Sequence, residues 1–180
     1  MTDDLVRTSR FLSYVLRHHP ETIGIELDAG GWIDIDSLLA ALARHGRTTS
    51  RATLDRVVAG TDNRRLEVDG HRIRAAQGHS VAVELGLPPV EPPAVLYHGT
   101  VARYLAGIRA EGLQPRQRSH VHLSADRPTA RAVGSRRGAP VILAIDAAGM
   151  HRVGHEFYRA TNGVWLTGAV PPQWISSEPP

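Results

Sequence analysis

A cationic cluster stands where the first amphipathic segment of the chain must stop. Arg17, His18 and His19 directly precede Pro20 in "YVLRHHPETIG". A planar guanidinium binds a phosphate through two parallel hydrogen bonds, and a neighbouring imidazole can donate another bond or pass a proton near neutral pH. Cations at the end of a helix also offset its dipole. The residues alone therefore leave two readings open, an anion site and a favourable helix terminus.

Two further arginine pairs occupy positions that suit an anion. Arg64 and Arg65 precede an Asp-Gly hairpin signal, where charges can equally protect a strand edge. Arg136 and Arg137 lie in the loop "GSRRGAP", directly before an apolar run typical of a buried strand. Loops at strand ends commonly carry functional residues. These arginines would belong to one anion site with the first cluster only if the fold brought them together.

A second group of polar residues falls in the segments "YHGT" and "HVHLS". His98, Gly99 and Thr100 can offer an imidazole, exposed backbone and a hydroxyl together to a polar ligand at the end of a strand. His120 and His122 share one face of a strand, a spacing that could bind zinc. Because the chain has no Cys and no nearby carboxylate pattern, we predict no metal site.

Composition excludes several classes of function. All 21 basic residues are arginines, so a Schiff-base lysine and a P-loop lysine are absent, and no G-x-G-x-x-G motif is present. The formal net charge of +3 is small for a nonspecific nucleic-acid binder. No apolar run is long enough to span a bilayer, and the first residues lack a signal-peptide pattern. We therefore expect a cytoplasmic protein without a membrane partner. We also expect a monomer, although no pattern in the sequence determines the oligomeric state.

The elements that must position these residues form two lobes of an α+β fold. Residues 1–77 make the first lobe, 78–94 a linker and 95–180 the second lobe. The linker is inferred from prolines that prevent regular helix or central strand. These are Pro88, Pro89, Pro92 and Pro93.

The first lobe is predicted to be helical with small hairpins. An apolar stripe predicts a helix that ends before Pro20, and alternation on both sides of a Gly-Gly turn predicts a hairpin at 23–35. Two helices follow, in "DIDSLLAALARHG" and "TTSRATLDRVVAG", and a hairpin around Asp69 and Gly70 closes the lobe. This order suggests a winged-helix arrangement.

The second lobe is predicted to be richer in strands. Strands are indicated in "AVLYHGT", "HVHLS", "PVILAIDA" and "NGVWLTGAVPPQWI". Helices are indicated in "VARYLAGIRAEGL", which Gly112 could end, and in "DRPTARAVG".

Taken together, "LRHHP", "GGWIDIDSLL", "DNRRLEV", "IRAAQGHS", "LYHGT", "HVHLS", "VGSRRGAPVIL" and "NGVWLT" closely resemble the NAD-dependent RNA 2'-phosphotransferase family of the bacterial KptA type. The resemblance covers nearly the whole chain in order. It implies an N-terminal winged-helix lobe and a C-terminal ADP-ribosyltransferase-like lobe with the active site between them. It also implies that an internal 2'-phosphate of RNA is transferred to NAD through an ADP-ribosylated RNA intermediate. The products would be 2'-hydroxyl RNA, nicotinamide and ADP-ribose 1'',2''-cyclic phosphate.

The same resemblance assigns residues to roles. The implied catalytic tetrad is Arg17, His18, Arg65 and Arg136, and His19 is expected to be a bystander. The implied NAD contacts are His98, Gly99, Thr100, Gly112, Leu113, His122 and Ser124. Val164 stands where many protein-modifying ADP-ribosyltransferases carry a Glu.

The sequence leaves two alternatives open. One is an ADP-ribosyltransferase that caps nucleic-acid ends and stops after the first step, since the same NAD pocket would serve. The other is a winged-helix DNA-binding regulator with "SRATLDRVVAG" as its recognition helix, although a net-neutral lobe is a poor surface for phosphates. The family's eukaryotic task is tRNA splicing, and the physiological RNA of this chain is not indicated by its sequence.

Overall fold

The structure, a computed structural model, describes residues 3–60 and 65–177. Contacts group the chain into two units, Met1–Gly86 and Leu87–Pro180. Each unit mixes helices with antiparallel strands, so the predicted α+β class is confirmed. The winged-helix and ADP-ribosyltransferase-like architectures stay predictions.

Helices of the first unit form where the sequence offers caps and apolar spacing. α1 spans Asp3–Arg17, α2 spans Ile35–Arg44 and α3 spans Arg51–Ala59. The carboxylate of Asp34 accepts from the Ser37 amide, and the hydroxyl of Ser50 accepts from the Thr53 amide, which satisfies amides that the first turns leave unpaired. All three predicted helices are confirmed, and their apolar faces share one core.

The sheet of the first unit contains three short strands in the order β1, β3, β2. β1 is Ile33–Asp34, β2 is Leu66–Asp69 and β3 is Arg72–Ala75. β2 and β3 pair antiparallel with Asp69 opposite Arg72, so the predicted hairpin is confirmed, but its two turn residues are Gly70 and His71 and not Asp69 and Gly70. β1 pairs with the other edge of β3, with Ile33 opposite Ile73.

The hairpin predicted at 23–35 is wrong, because only its second arm forms a strand. A 3₁₀ turn occupies Pro20–Ile23 and ends at Gly24, whose φ of 63° lies in the left-handed region. The Asp28 carboxylate then accepts from the amides of Gly30 and Trp32 at 2.9 and 2.8 Å. This local Asx turn replaces cross-strand pairing, and β1 pairs with a strand about 40 residues later instead.

Residues that open the predicted 78–94 connector are held on the first unit. The amides of Ser80 and Val81 donate to the Arg17 carbonyl at 2.9 and 3.3 Å, and the Glu84 amide donates to Ala29 at 2.8 Å. Arg74 donates to the Leu85 carbonyl at 3.1 Å. The chain therefore passes across the C-terminal end of α1 before it leaves the unit.

The second unit contains two three-stranded antiparallel sheets in its described residues. β4, Val95–Val101, pairs with β6, Pro140–Asp146, which pairs with β9, Ile175–Ser177. The other sheet has β5, Val121–Leu123, next to β8, Trp165–Thr167, which pairs with β7, Phe157–Arg159. The strands predicted in "AVLYHGT", "HVHLS" and "PVILAIDA" are confirmed. Of the strand predicted in "NGVWLTGAVPPQWI", Trp165–Thr167 forms β8 and the last residue begins β9, whereas a 3₁₀ turn occupies Pro172–Trp174. β7 was not predicted.

Three α-helices accompany these sheets: α4 at Leu105–Glu111, α5 at Arg127–Gly134 and α6 at Ala147–Arg152. α4 begins later than the sequence indicates, after a 3₁₀ turn at Ala102–Tyr104, and Gly112 ends it as predicted. α6 was not predicted, although the Asp146 carboxylate caps it by accepting from the Gly149 amide. Within the described ranges, no helix has the length and apolar character that a bilayer crossing requires.

Candidate functional site

Arg17 and Arg65 are neighbours in space, although 48 positions separate them in the chain. α1 ends at Arg17, and its Nη2 donates to the Arg65 carbonyl at 3.4 Å. The same carbonyl accepts from the Ala76 amide at 3.0 Å, which fixes the backbone of Arg65 just before β2. Arg64, the other member of this arginine pair, lies outside the described residues. The helix terminus and the hairpin thus present two of the four predicted catalytic residues together.

His18 is held by a residue that the sequence analysis did not single out. Its Nδ1 forms a hydrogen bond with the Oγ of Ser80 at 2.9 Å. The Ser80 amide donates in turn to the Arg17 carbonyl, so Ser80 is anchored by backbone and side chain to adjacent residues. The segment "IRAAQGHS" carried the family resemblance, but nothing in its local pattern indicated where Ser80 would lie.

His79 lies buried beside this cationic cluster, with 1% of its surface exposed. Among the described residues, neither ring nitrogen has a hydrogen-bond partner. Burial lowers the pKa of His79 to about 4, and the positive charges of Arg17, Arg74 and His18 act in the same direction. His79 is therefore uncharged at neutral pH and adds no further positive charge to the cluster.

The C-terminal end of α1 is covered in a way that suits an anion site. A helix C-terminus carries a partial negative charge on carbonyls that lack partners, and this charge would repel a phosphate. Here the Arg17 carbonyl accepts from two amides of the 79–81 segment, and the Tyr14 carbonyl accepts from His18 and His19. These bonds reduce the opposing field where Arg17 and His18 are placed.

In the second unit, the segments "YHGT" and "HVHLS" meet. Tyr97 on β4 and Ser124 after β5 exchange two backbone hydrogen bonds, at 2.9 and 2.8 Å. One residue further on, His98 Nδ1 donates to the His122 carbonyl at 3.0 Å. The structure therefore brings together His98, His122 and Ser124, three of the residues predicted to contact NAD.

His98 is a partly buried imidazole with a defined chemical character. Burial lowers its pKa, and the charges of Arg137 and Arg118 lower it further, whereas the bond to the His122 carbonyl acts in the opposite direction. The ring is neutral at physiological pH as a result. Because Nδ1 carries the proton that binds the carbonyl, Nε2 is the acceptor nitrogen and can receive a hydrogen bond from a hydroxyl.

Gly99 and Thr100 are constrained by packing. A Cβ at Gly99 would overlap the backbone carbonyl of Ala130 on α5, so only glycine permits this approach of α5 to β4. Thr100 is only 5% exposed. Packing within the unit therefore accounts for the glycine at position 99 and for the burial of Thr100. The contact of both residues with NAD stays a prediction.

Gly112 and Leu113 are also tied to the core. Gly112 has a φ of 77°, and a Cβ there would overlap the carbonyl of Val170. Leu113 is 5% exposed and exchanges two backbone hydrogen bonds with Val170. These contacts hold the end of α4 against Val170. The contact of Gly112 and Leu113 with NAD stays a prediction.

Arg118 belongs to the same neighbourhood and was missed by the sequence analysis. Its Nη1 lies 3.5 Å from His122 Nδ1. Withdrawal of the guanidinium from water and the charge of Arg137 both lower the pKa of Arg118. Within residues 3–60 and 65–177, neither arginine forms an ion pair with a carboxylate. The only available sequence signal was its position just before a predicted strand.

Arg136, the fourth predicted catalytic residue, lies in the second unit on the exposed 3₁₀ turn Ser135–Arg137. The charge of its neighbour Arg137 adds to the effect of burial in lowering the pKa of His98 and of Arg118. For metal binding, no cluster of three or more His, Cys, Asp or Glu occurs in the part of the chain that the structure describes.

Comparison with known proteins gives a consistent result. The sequence model of a family described as RNA 2'-phosphotransferase, Tpt1/KptA family, matches residues 3–169. A Streptomyces griseus protein named probable RNA 2'-phosphotransferase is 56% identical over 179 residues, covering 94% of this chain and 95% of the relative. A Streptomyces coelicolor protein of the same name is 58% identical over 170 residues, covering 94% and 93%. One from Pseudomonas aeruginosa is 58% identical over 171 residues, covering 93% and 94%.

Proposed function

Because the chain belongs to the Tpt1/KptA family of RNA 2'-phosphotransferases, we propose that it removes an internal 2'-phosphate from RNA by transferring that phosphate to NAD. NAD is a substrate in this scheme and is consumed. The family and the names of the relatives support the RNA 2'-phosphotransferase activity. The use of NAD, the intermediate and the products are our proposal.

The observation that carries the proposal is the contact of Arg17 with the backbone of Arg65, beside His18 in its bond to Ser80. Two guanidinium-bearing residues and an imidazole meet at one end of α1, and the helix carbonyl nearest to them is hydrogen-bonded. Such a group of donors suits a phosphate dianion, for which guanidinium binds two oxygens at once.

In the first step, an oxygen of the RNA 2'-phosphate attacks the ribose C1'' of NAD. The C1''–nitrogen bond to nicotinamide breaks, and its electron pair leaves with nicotinamide. A phosphate dianion is already a competent nucleophile, so this step needs no general base at the acceptor. The presence of Val164, where many protein-modifying relatives carry a Glu, agrees with a phosphate acceptor.

In the second step, the ribose 2''-hydroxyl attacks the phosphorus atom of the ADP-ribosylated RNA. The bond from phosphorus to the RNA 2'-oxygen breaks, and the proton released by the 2''-hydroxyl is balanced by the proton that the RNA 2'-oxygen takes up. We assign Arg17, Arg65 and Arg136 to the negative charge on the phosphoryl group, and His18 to a phosphate contact and to proton transfer. Removing one such donor typically costs about 2.7 to 4 kcal/mol of transition-state stabilisation.

The NAD residues that we propose lie in the second unit. Neutral His98 can accept a hydrogen bond from a ribose hydroxyl through Nε2, and His122 and Ser124 lie on the adjacent strand segment. Burial lowers the pKa of Arg118, and the like charge of Arg137 lowers it further; a pyrophosphate dianion would relieve this repulsion. The donor set therefore fits a ligand that combines ribose hydroxyls with a pyrophosphate.

The test is incubation of the protein with NAD and an RNA oligonucleotide that carries one internal 2'-phosphate beside an intact 3',5'-phosphodiester. We expect 2'-hydroxyl RNA, nicotinamide and ADP-ribose 1'',2''-cyclic phosphate in equal amounts. The same oligonucleotide without the 2'-phosphate should yield none of these products. Absence of phosphate transfer with ample enzyme and NAD would refute the proposal, and accumulation of ADP-ribosylated RNA alone would favour an end-capping ADP-ribosyltransferase.

Variants separate the two steps. Arg65→Ala and Arg136→Ala should stall the reaction at the ADP-ribosylated RNA, because the charge that they stabilise develops mainly in the second step. Arg7→Ala is the matched control, since Arg7 lies on the same helix as Arg17 with its side chain 76% exposed. Normal product formation by the two tetrad variants would remove both residues from the proposed roles.

A further inference from the structure

Tyr14 is a large aromatic side chain that packing does not explain. It is 43% exposed, whereas Leu12, Val15 and Leu16 on the opposite face of α1 are fully buried. It lies one helical turn before His18, so both side chains share a face of the helix. Because this exposed aromatic ring lies beside residues proposed to bind phosphate, a role in ligand binding is favoured over a role in the core.

The Tyr14 ring is part of an ordered aromatic surface. Its centroid lies 4.9 Å from the centroid of the His19 ring, with the two planes inclined at 34°, and 6.4 Å from that of His18. His19 Nδ1 is hydrogen-bonded to the Glu21 carboxylate at 2.8 Å, and the His19 amide donates to the Tyr14 carbonyl at 3.3 Å. These contacts hold the His19 ring against Tyr14.

Glu21 is the negative charge that faces this surface. The hydrogen bond from His19 lowers the pKa of the Glu21 carboxyl, so the carboxylate is ionised at neutral pH. It is directed to His19, however, and two arginines stand three or four residues from Tyr14 on the same helix, Arg10 and Arg17. The charge around the surface therefore still favours a ligand that carries phosphate groups.

A nucleobase of the RNA is the ligand that fits this arrangement. Single-stranded RNA is bound by aromatic side chains that stack on bases, combined with cations that contact the backbone. If Arg17, His18 and Arg65 bind the 2'-phosphate, the bases of the phosphorylated nucleotide and of its two neighbours must lie close to these three residues. Two small rings could not by themselves form the large buried area that a stable protein interface requires.

We propose that Tyr14 and His19 form a stacking platform for a nucleobase next to the 2'-phosphate. The inference rests on the proposed function and deepens it, because it assigns RNA binding to a tyrosine and to a histidine that the family motifs left without a role. It also predicts that the enzyme needs a base at a defined position beside the phosphate, and that the identity of this base matters little, since every base has a π face.

The experiment measures the affinity of the protein for a short fluorescent RNA with an internal 2'-phosphate, without NAD. Stacking is worth about 1 to 3 kcal/mol per base, so Tyr14→Ala should weaken binding by about fivefold to 150-fold, and Tyr14→Phe should bind like the parent protein. Three further oligonucleotides are abasic at the phosphorylated nucleotide or at either neighbour. With one of them, Tyr14→Ala and the parent protein should bind equally.

Two controls distinguish stacking from a general loss of structure or charge. Tyr104 is also 43% exposed but lies in the second unit, and Tyr104→Ala should leave RNA affinity unchanged. Tyr14→Ala should keep the salt dependence of binding, whereas Arg17→Ala should reduce it, because only the arginine releases counterions from phosphate.

The outcomes separate this inference from the proposed function. If the parent protein neither binds nor processes the 2'-phosphorylated RNA, the proposed function itself fails. If it processes that RNA and Tyr14→Ala binds as tightly as the parent protein, the platform alone is refuted. A penalty for Tyr14→Ala that is the same with all three abasic oligonucleotides would likewise refute it.

Discussion

The Nδ1 of His18 lies 2.9 Å from the Oγ of Ser80, a residue 62 positions later in the chain. Backbone bonds from Ser80 and Val81 to the Arg17 carbonyl place the serine at the end of α1. The helix positions Arg17 and His18, while the segment after β3 fixes the imidazole and covers the helix carbonyl. The proposed phosphate site therefore depends on a part of the chain whose sequence resembles a simple connector.

Ser80→Ala should impair His18 without unfolding the protein. A hydrogen bond of this kind contributes about 0.5 to 1.5 kcal/mol, so we expect the second step to slow by roughly twofold to tenfold. Ser80→Thr keeps the hydroxyl and should restore the rate. The rate is measured in single turnovers, and the tautomer of His18 by the nitrogen chemical shifts of its ring. Unchanged ring shifts in Ser80→Ala would contradict a positioning role.

Acidification should destabilise the protein through His79. The unfolded chain binds a proton at this residue near pH 6.5, whereas the folded chain does so only near pH 4. Between these values the unfolded state holds more protons, so the free energy of unfolding falls as the pH falls. At about 1.4 kcal/mol per pKa unit, His79 should account for a loss of about 2 kcal/mol between pH 6.5 and pH 5.

Urea denaturation at several pH values measures this slope. His79→Gln should show a smaller dependence on pH than the parent protein, whatever its stability at neutral pH. An NMR titration of the parent protein provides a second measurement, and a His79 pKa near 6.5 would overturn the prediction.

Gly99→Ala should be strongly destabilising. The added methyl group would overlap the Ala130 carbonyl, and α5 would have to move away from β4. Overpacking of this kind costs about 1 to 3 kcal/mol or more. Gly107→Ala is the matched control, because nothing lies within 4 Å of a Cβ there and the residue is in the interior of α4.

The control should raise stability by about 0.5 to 1 kcal/mol, the usual gain from alanine over glycine in a helix. Both free energies are obtained from thermal or urea unfolding. If Gly99→Ala were as stable as Gly107→Ala, close packing would not explain the glycine in "YHGT".

Loss of the Glu67 carboxylate should disturb the segment that carries Ser80. Arg74 is 8% exposed and binds Glu67 at 2.8 Å, and it also donates to the carbonyls of Gly30 and Leu85. Removing one partner of a buried pair leaves an uncompensated charge and typically costs about 3 to 5 kcal/mol. We expect Glu67→Ala to be destabilised by such an amount and to exchange the amides of residues 80–85 faster.

Asp69→Ala provides the comparison, because its ion pair with Arg72 is exposed and 3.5 Å long. Exposed pairs contribute about 0 to 1 kcal/mol. Hydrogen exchange and urea unfolding of both variants measure the difference. Equal stability of the two variants would show that the buried pair does not anchor the 80–85 segment.

Arg118→Gln should weaken the binding of NAD and leave RNA affinity unchanged. Hydrogen bonds to a charged group contribute about 1.5 to 3 kcal/mol, so the KM for NAD should rise by roughly tenfold to a hundredfold. Arg116→Gln is the control, since that arginine pairs with Glu111 at an exposed position two residues away. A KM for NAD that changes equally in both variants would exclude a specific role for Arg118.

Some features of the protein could be predicted from sequence because their causes lie within a few residues. Asp34 and Ser50 cap their helices through amides three positions later, and Gly70 with His71 turns the hairpin that the Asp-Gly pair indicated. The ordered motifs were enough to recognise the family. These signals depend on local backbone preferences, which follow directly from the residue types.

The failed hairpin at 23–35 shows the limit of such signals. Alternation predicted pairing across the glycines. Instead, the Asp28 carboxylate accepts hydrogen bonds from amides of the loop, and β1 pairs with β3. Periodicity describes which face of a strand is apolar, and it carries no information about which distant strand will pair with it.

The same limit applies to the site. The family resemblance nominated Arg17, His18 and Arg65. The bonds of Arg17 to the Arg65 backbone and of His18 to Ser80 required segments 48 and 62 residues apart to meet. Burial then made His79 neutral, and the packing of α5 made Gly99 necessary. These properties arise from desolvation and close contact between distant segments, which exist only once the chain has folded.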